Sequence, residues 1–238
     1  MSYLESYAAP NPYVAQAPTS ERAAFMQRTY LHLAGAILAF VGLEAVLLNL
    51  PNVESIVYTL IGGQYGWLLF LGLFMVAGWI ADRWARSEVS TGLQYMGLGL
   101  YIVAEAILFL PLLYIASTFS SPEVIPTAGI ITLALFGGLT ATALLTRIDF
   151  SFIGKFLMIG SFLALGTIVA GILFNITLGL FFSVAMVGLA GGYILYTTSQ
   201  IQHHYRTHQH VAAALSLFAS VALMFYYVLR IVMSFSRD

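Results

Sequence analysis

The chain has 238 residues, of which 60% are hydrophobic, 14% aromatic and only 8% charged, where a soluble domain has roughly 45–50% apolar and about 25% charged residues. Nine basic and ten acidic side chains cannot cover a water-soluble body of this size, so a soluble globular enzyme is excluded, and the net charge of −1, with basic residues scattered singly or in pairs, leaves no footprint for nucleic acid. With no cysteine, thiolate nucleophiles, disulfides, iron–sulfur clusters and cysteine zinc sites are absent as well.

Residues 1–22 are rich in Ala, Pro, Ser and Tyr, with Pro10, Pro12 and Pro18 interrupting any helix and no apolar run that would serve as a signal-peptide core. They read as a disordered cytoplasmic tail ahead of a transmembrane domain over 23–238. Apolar stretches follow at 29–50, 65–84, 92–118, 125–145, 153–174, 178–198 and 211–235. Each is near the ~20 residues that cross a hydrocarbon core of about 30 Å. The runs are continuously apolar rather than alternating, which excludes a β-barrel. The expected fold is all-α, a polytopic membrane bundle of seven transmembrane helices in contact with the lipid bilayer.

Arg22, Arg28, Arg83, Arg86, Arg147, Lys155 and Arg206 fall in or beside the tail and the loops after spans two, four and six; only Arg230 and Arg237 lie at the other side. The positive-inside rule therefore puts the N-terminus in the cytoplasm and the C-terminus outside. Tyr30, Trp84 and Tyr95 are expected at the inner interface, and Tyr65, Trp67 and Tyr114 at the outer one. In span six, Gly188 and Gly192 share a helix face and are read as a close helix-packing contact. Pro111 should kink span three and free a carbonyl. No internal repeat is evident.

Ionisable groups within a span are costly unless used or satisfied. Glu105 sits halfway along span three with no charged neighbour in sequence, as an ion or proton site or as a hydrogen-bonded packing carboxyl. Glu44 in span one and Arg230 in span seven lie at comparable depth and are candidates for an interhelix pair. His32 opens span one as an interfacial hydrogen-bonding group. The loop after span six holds His203, His204, His208 and His210. If helical, it would put His204 and His208 on one face at metal-ligand spacing, but without a carboxylate it reads as a solvated or pH-responsive loop, and no metal is assigned. No H-E-x-x-H helix, nucleophile elbow or Walker loop is present, so neither catalysis nor a cofactor is expected.

The segment Gly191-Gly192-Tyr193-Ile194-Leu195-Tyr196-Thr197-Thr198-Ser199-Gln200-Ile201 resembles the signature of the Bax inhibitor one family, the transmembrane Bax inhibitor motif proteins. Arg28-Thr29-Tyr30-Leu31, Thr146-Arg147-Ile148-Asp149-Phe150-Ser151 and Ala214-Leu215-Ser216-Leu217-Phe218 resemble further stretches of its bacterial-type members. The resemblance runs from about Arg28 to Arg230. It implies six helices around a central seventh, a bacterial plasma-membrane location and a pH-sensitive calcium leak. It also implies a pair of Asp residues, in spans six and seven, as the pH sensor. Here those positions are Thr197 and Ser220, which do not titrate near neutral pH. Two functions therefore stand side by side. One is a calcium or proton leak with Glu105, Thr197 and Ser220 along the ion pathway. The other is a regulator without transport that binds membrane proteins such as a membrane-bound protease or cell-death factors. What separates them is whether Glu105 faces a hydrated cavity with Thr197 and Ser220 or a packed apolar interface.

The orientation has a direct check. Topology reporters fused at His208 and at the C-terminus should report opposite sides of the membrane, the first cytoplasmic; two cytoplasmic signals would mean that the count of spans is wrong.

Overall fold

The computed structural model describes residues 13–88, 90–146 and 148–236, and for Gln64 and Tyr65 the backbone. The first twelve residues with Pro10 and Pro12, Arg147, Arg237 and the Tyr65 side chain, on all of which the sequence reading drew, lie outside the described residues.

Eight α-helices follow in order among the described residues: α1 (Thr19–Leu48), α2 (Val53–Ile61), α3 (Gln64–Ala85), α4 (Thr91–Phe119), α5 (Val124–Thr146), α6 (Gly154–Leu173), α7 (Leu180–His203) and α8 (His210–Phe235). All but α2 are long and apolar enough to cross a membrane. The seven expected spans are thus present, to within a few residues except at the start of α1.

Helix breaks coincide with residues that suit them. Gly63, at φ 84°, turns the chain between α2 and α3, and Asn175, at φ 54°, does so between α6 and α7. The Ser90 hydroxyl caps α4 by accepting from the Leu93 amide. Nine residues long, α2 lies between the first two spans. It is too short to register as a span, and the sequence reading passed over it.

The described part of the expected tail is structured. Residues 13–22 are ordered: Val14–Gln16 form a 3₁₀ turn, and Pro18 directly precedes α1, ten residues ahead of the expected span. Its missing N–H costs nothing at a helix start, where that group has no partner anyway. Tyr13 pairs with Arg206 in an antiparallel bridge, and the Val14 amide donates to the Tyr205 carbonyl at 2.9 Å. Val14 and Ala17 are buried by this contact. The contact also joins the amino-terminal segment to the α7–α8 loop at one end of the bundle, called here the amino-terminal end.

At the centre stands α8. In its apolar window 72% of the residues are buried, against 11–39% in the other spans. It packs on α7, α1, α5, α4 and α3, and small residues such as Ala212, Ala213, Ala214 and Ala222 let them come close. The other spans turn large apolar side chains outward, among them Leu38, Leu145, Phe156 and Phe181. In water such a surface would aggregate; in lipid it is the solvated face.

Of the two packing glycines, only Gly192 is in a close contact, where a Cβ would lie 2.7 Å from the Leu157 side chain of α6. Gly188, one turn earlier on the same face and exposed, would place a Cβ with nothing within 4 Å, and it is corrected to a non-packing position. The tightest approach between two spans is elsewhere: at Gly97 a Cβ would lie 2.5 Å from the Ala81 carbonyl oxygen and 2.7 Å from the Ala85 nitrogen. This fixes α4 against the end of α3. Pro111 is buried within α4, which continues through it to Phe119.

Backbone cannot move aside as a flexible side chain can. Gly97→Ala should therefore lower the thermal unfolding midpoint of the purified protein, by about 1–3 kcal/mol of overpacking, whereas Gly188→Ala should leave it unchanged. Equal midpoints for the two variants would contradict this packing.

Candidate functional site

A cavity of about 1540 Å³ lies between α3, α4, α6, α7 and α8. Its wall on α8 runs from Leu215 to Arg230, roughly 22 Å at the helical rise, so it covers most of a hydrocarbon core about 30 Å thick. Glu105, Thr197 and Ser220, from three different helices, all line it. Glu105 therefore faces a cavity together with Thr197 and Ser220 rather than a packed apolar interface.

Glu105 is buried near the middle of α4, 4% exposed. Its neighbour one turn earlier, Tyr101, also lines the cavity and offers its hydroxyl to the carboxyl. The hydroxyl of Ser220 donates to the Ser216 carbonyl at 2.9 Å, which leaves its lone pairs free to accept. Ser161 and Tyr193 add a further pair of hydroxyls, 2.9 Å apart, on the α6–α7 wall.

The sequence reading missed Asp82, which lines the cavity at its amino-terminal end. It stands among Arg83, Trp84 and Arg86 and was read only as part of a basic span end. Arg86 Nε lies 2.9 Å from both oxygens of the Asp82 carboxylate. Its Nη2 donates to the Tyr205 hydroxyl at 3.2 Å, and the guanidinium lies over the Tyr205 ring. Tyr205 Oη is in turn 3.0 Å from Ser216 Oγ, whose own proton goes to the Ala212 carbonyl. Partial burial works against the Arg86 charge, but the hydrogen bond that it donates to the Asp82 carboxylate and the interactions with Tyr205 outweigh it, and the guanidinium is held protonated more firmly than usual. The network ties the end of α3 to the start of α8.

Glu44 and Arg230 do not pair. Arg230 Nη2 donates to the Leu178 carbonyl at 3.0 Å and its guanidinium lies 5.9 Å from the Tyr227 ring. Glu44 continues the buried stripe of α1 through Phe25, Thr29, Leu33, Ala36 and Phe40, and neither carboxyl oxygen has a hydrogen-bond partner. The physical reason is direction: Arg230 points into the cavity, to which α1 contributes no residue.

The histidine loop is not helical. α7 ends at His203, whose Nδ1 donates to the Ser199 carbonyl, and α8 starts at His210, so His204 and His208 share no helix face. Among the described residues no group of three metal-ligating side chains forms. His32 makes interfacial hydrogen bonds: Nδ1 donates to the Arg28 carbonyl at 2.7 Å, so in the neutral ring Nε2 accepts from the Tyr95 hydroxyl at 2.8 Å. Tyr30 turns inward toward Thr198 instead of anchoring at the interface.

The Asp149 motif proves to be a tie. The Ser151 hydroxyl and amide, with help from Ser199, hold the exposed Asp149 carboxyl below the usual carboxylate range. Ser199 Oγ also accepts from the Phe150 amide at 2.9 Å. The α5–α6 loop is thereby fastened to α7.

A central apolar helix packed among α1, α3, α4, α5 and α7, beside an interior chamber with buried polar groups, defines the class: a polytopic α-helical integral membrane protein. Residues 22–237 match the family described as Inhibitor of apoptosis-promoting Bax1, and the chain belongs to that family. An uncharacterized protein of Pseudomonas aeruginosa is 31% identical over 224 residues, 91% of this chain and 92% of that one. One of Helicobacter pylori is 30% identical over 226 residues, 92% and 90% of the two chains. One of Neisseria meningitidis is 28% identical over 122 residues, about half of each. The chain is accordingly a bacterial multi-pass membrane protein.

Proposed function

We propose that this is a non-enzymatic leak protein of the bacterial plasma membrane, N-terminus cytoplasmic, whose interior cavity conducts protons. The observation that carries the reading is that Glu105, the mid-membrane carboxyl, shares one chamber with Thr197 and Ser220. A carboxyl at that depth is costly unless a site uses it. Glu105 takes a proton from water reaching it along the chamber and passes it on through water ordered by Thr197, Ser220 and Ser216. The Asp82–Arg86–Tyr205 network closes the amino-terminal end and must part for the proton to leave.

Calcium is the less favoured ion. It takes 6–8 oxygen ligands, several of them usually carboxylates. Here Asp82 is bound to Arg86, the two family Asp positions are Thr197 and Ser220, and the guanidinium of Arg230 stands at the far end. Glu105 alone is left to attract a divalent ion, whereas one carboxyl is enough to relay protons.

Proton flux into proteoliposomes holding a pH-sensitive dye tests the reading. Glu105→Gln keeps the shape and removes the exchangeable proton, and flux should fall at least tenfold with the unfolding midpoint nearly unchanged. Thr197→Asp with Ser220→Asp should add a calcium flux that the native chain lacks. Unaltered proton flux in the Gln variant would move the assignment to a regulator that binds membrane proteins.

A further inference from the structure

The cavity has two features that proton transfer does not use. Its end away from the Asp82–Arg86 network holds a cation: Arg230 faces the chamber, makes one hydrogen bond, to the Leu178 carbonyl, and has no acidic partner among the described residues. A guanidinium has five N–H donors, so most of its capacity is open. The walls beyond it are apolar, including Trp67, Leu71 and Met75 of α3, Ile168 of α6 and Leu223 of α8.

Size and access also bear on what fits. At about 1540 Å³ the chamber exceeds the roughly 300–1,000 Å³ typical of small-molecule pockets. Its length of roughly 22 Å along α8 is more than the ~15 Å depth of one lipid leaflet. The two walls α3 and α6 meet only briefly, and both are spans that border lipid. A long chamber with an apolar wall beyond its cation, bounded on one side by two spans that meet only briefly, complements an anionic headgroup with an acyl chain attached.

We propose that the cavity binds an anionic phospholipid of the surrounding bilayer, its phosphate on Arg230 and one acyl chain between α3 and α6. The phosphate supplies the acceptors that Arg230 lacks, in the charge-assisted geometry that guanidinium favours. The chain displaces water from the approach to Glu105. The occupied state is then the closed, dry one, and loss of the lipid admits water. This regulatory consequence rests on the leak reading, but the binding itself does not, and binding is what the test reads.

The chain has three tryptophans, and Trp67 is the one that lines the cavity. With Trp79→Phe and Trp84→Phe introduced, Trp67 becomes the sole reporter. The purified protein in non-ionic micelles is titrated with phosphatidylglycerol or phosphatidylcholine brominated along the acyl chain, and quenching of Trp67 is followed. Phosphatidylglycerol should quench saturably at a concentration at least fivefold below phosphatidylcholine. Arg230→Gln should abolish that preference and Arg230→Lys should keep most of it, each with an unchanged unfolding midpoint. Ala164→Phe, which narrows the chamber, should weaken quenching by both lipids. Equal quenching by the two lipids in the native sequence, or a preference that survives Arg230→Gln, would overturn the proposal whatever the flux assay shows.

Discussion

A helix buried along most of its length among other helices must satisfy its polar groups with little help from outside water or headgroups, and this constraint on α8 organises the molecule. Its Ala-rich face lets α1, α5 and α7 pack closely. Ser216 and Ser220 return their protons to the backbone one turn back. The side of α8 that carries Ser216, Ser220, Tyr226, Tyr227 and Arg230 faces the gap where α3 and α6 meet only briefly, and there the chamber forms. Cavity and core are two faces of one helix.

The two ends of the chamber are built differently. At the amino-terminal end, Asp82, Arg86, Tyr205 and Ser216 form a continuous chain of hydrogen bonds from α3 to α8. Tyr205 is also held through its backbone by Val14 and through its neighbour Arg206 by Tyr13. The amino-terminal segment thus braces the residue that joins Arg86 to Ser216. At the other end a lone guanidinium rests on a loop carbonyl. The first arrangement is a network in which each bond supports the next, and the second is a single charge able to receive a ligand.

The spans were legible because the requirement that a helix of about twenty apolar residues satisfy its own backbone is written in composition, residue by residue. The inward place of Glu105 was legible for the same reason, as a carboxyl that lipid cannot accept. Pairings between helices were not legible. Glu44 and Arg230 share a depth, but depth says nothing of the direction in which a side chain points, and they face different neighbours. Gly188 and Gly192 lie on adjacent turns, yet only Gly192 meets α6. Asp82 was hidden by the basic residues around it, and the helical start at Thr19 by charged residues that lower its hydropathy. Each of these depends on how helices rotate against one another, which only packing determines.

The central claim is that water reaches the interior between Glu105, Thr197 and Ser220. Because the chain has no cysteine, single cysteines can be introduced without background. Ser220→Cys and Thr197→Cys, compared with the lipid-facing Phe162→Cys, would be exposed in lipid vesicles to a charged, water-soluble thiol reagent. The account predicts modification at Ser220 and Thr197, faster after lipid is stripped from the cavity, and none at Phe162. Protection of all three positions in folded protein would contradict it.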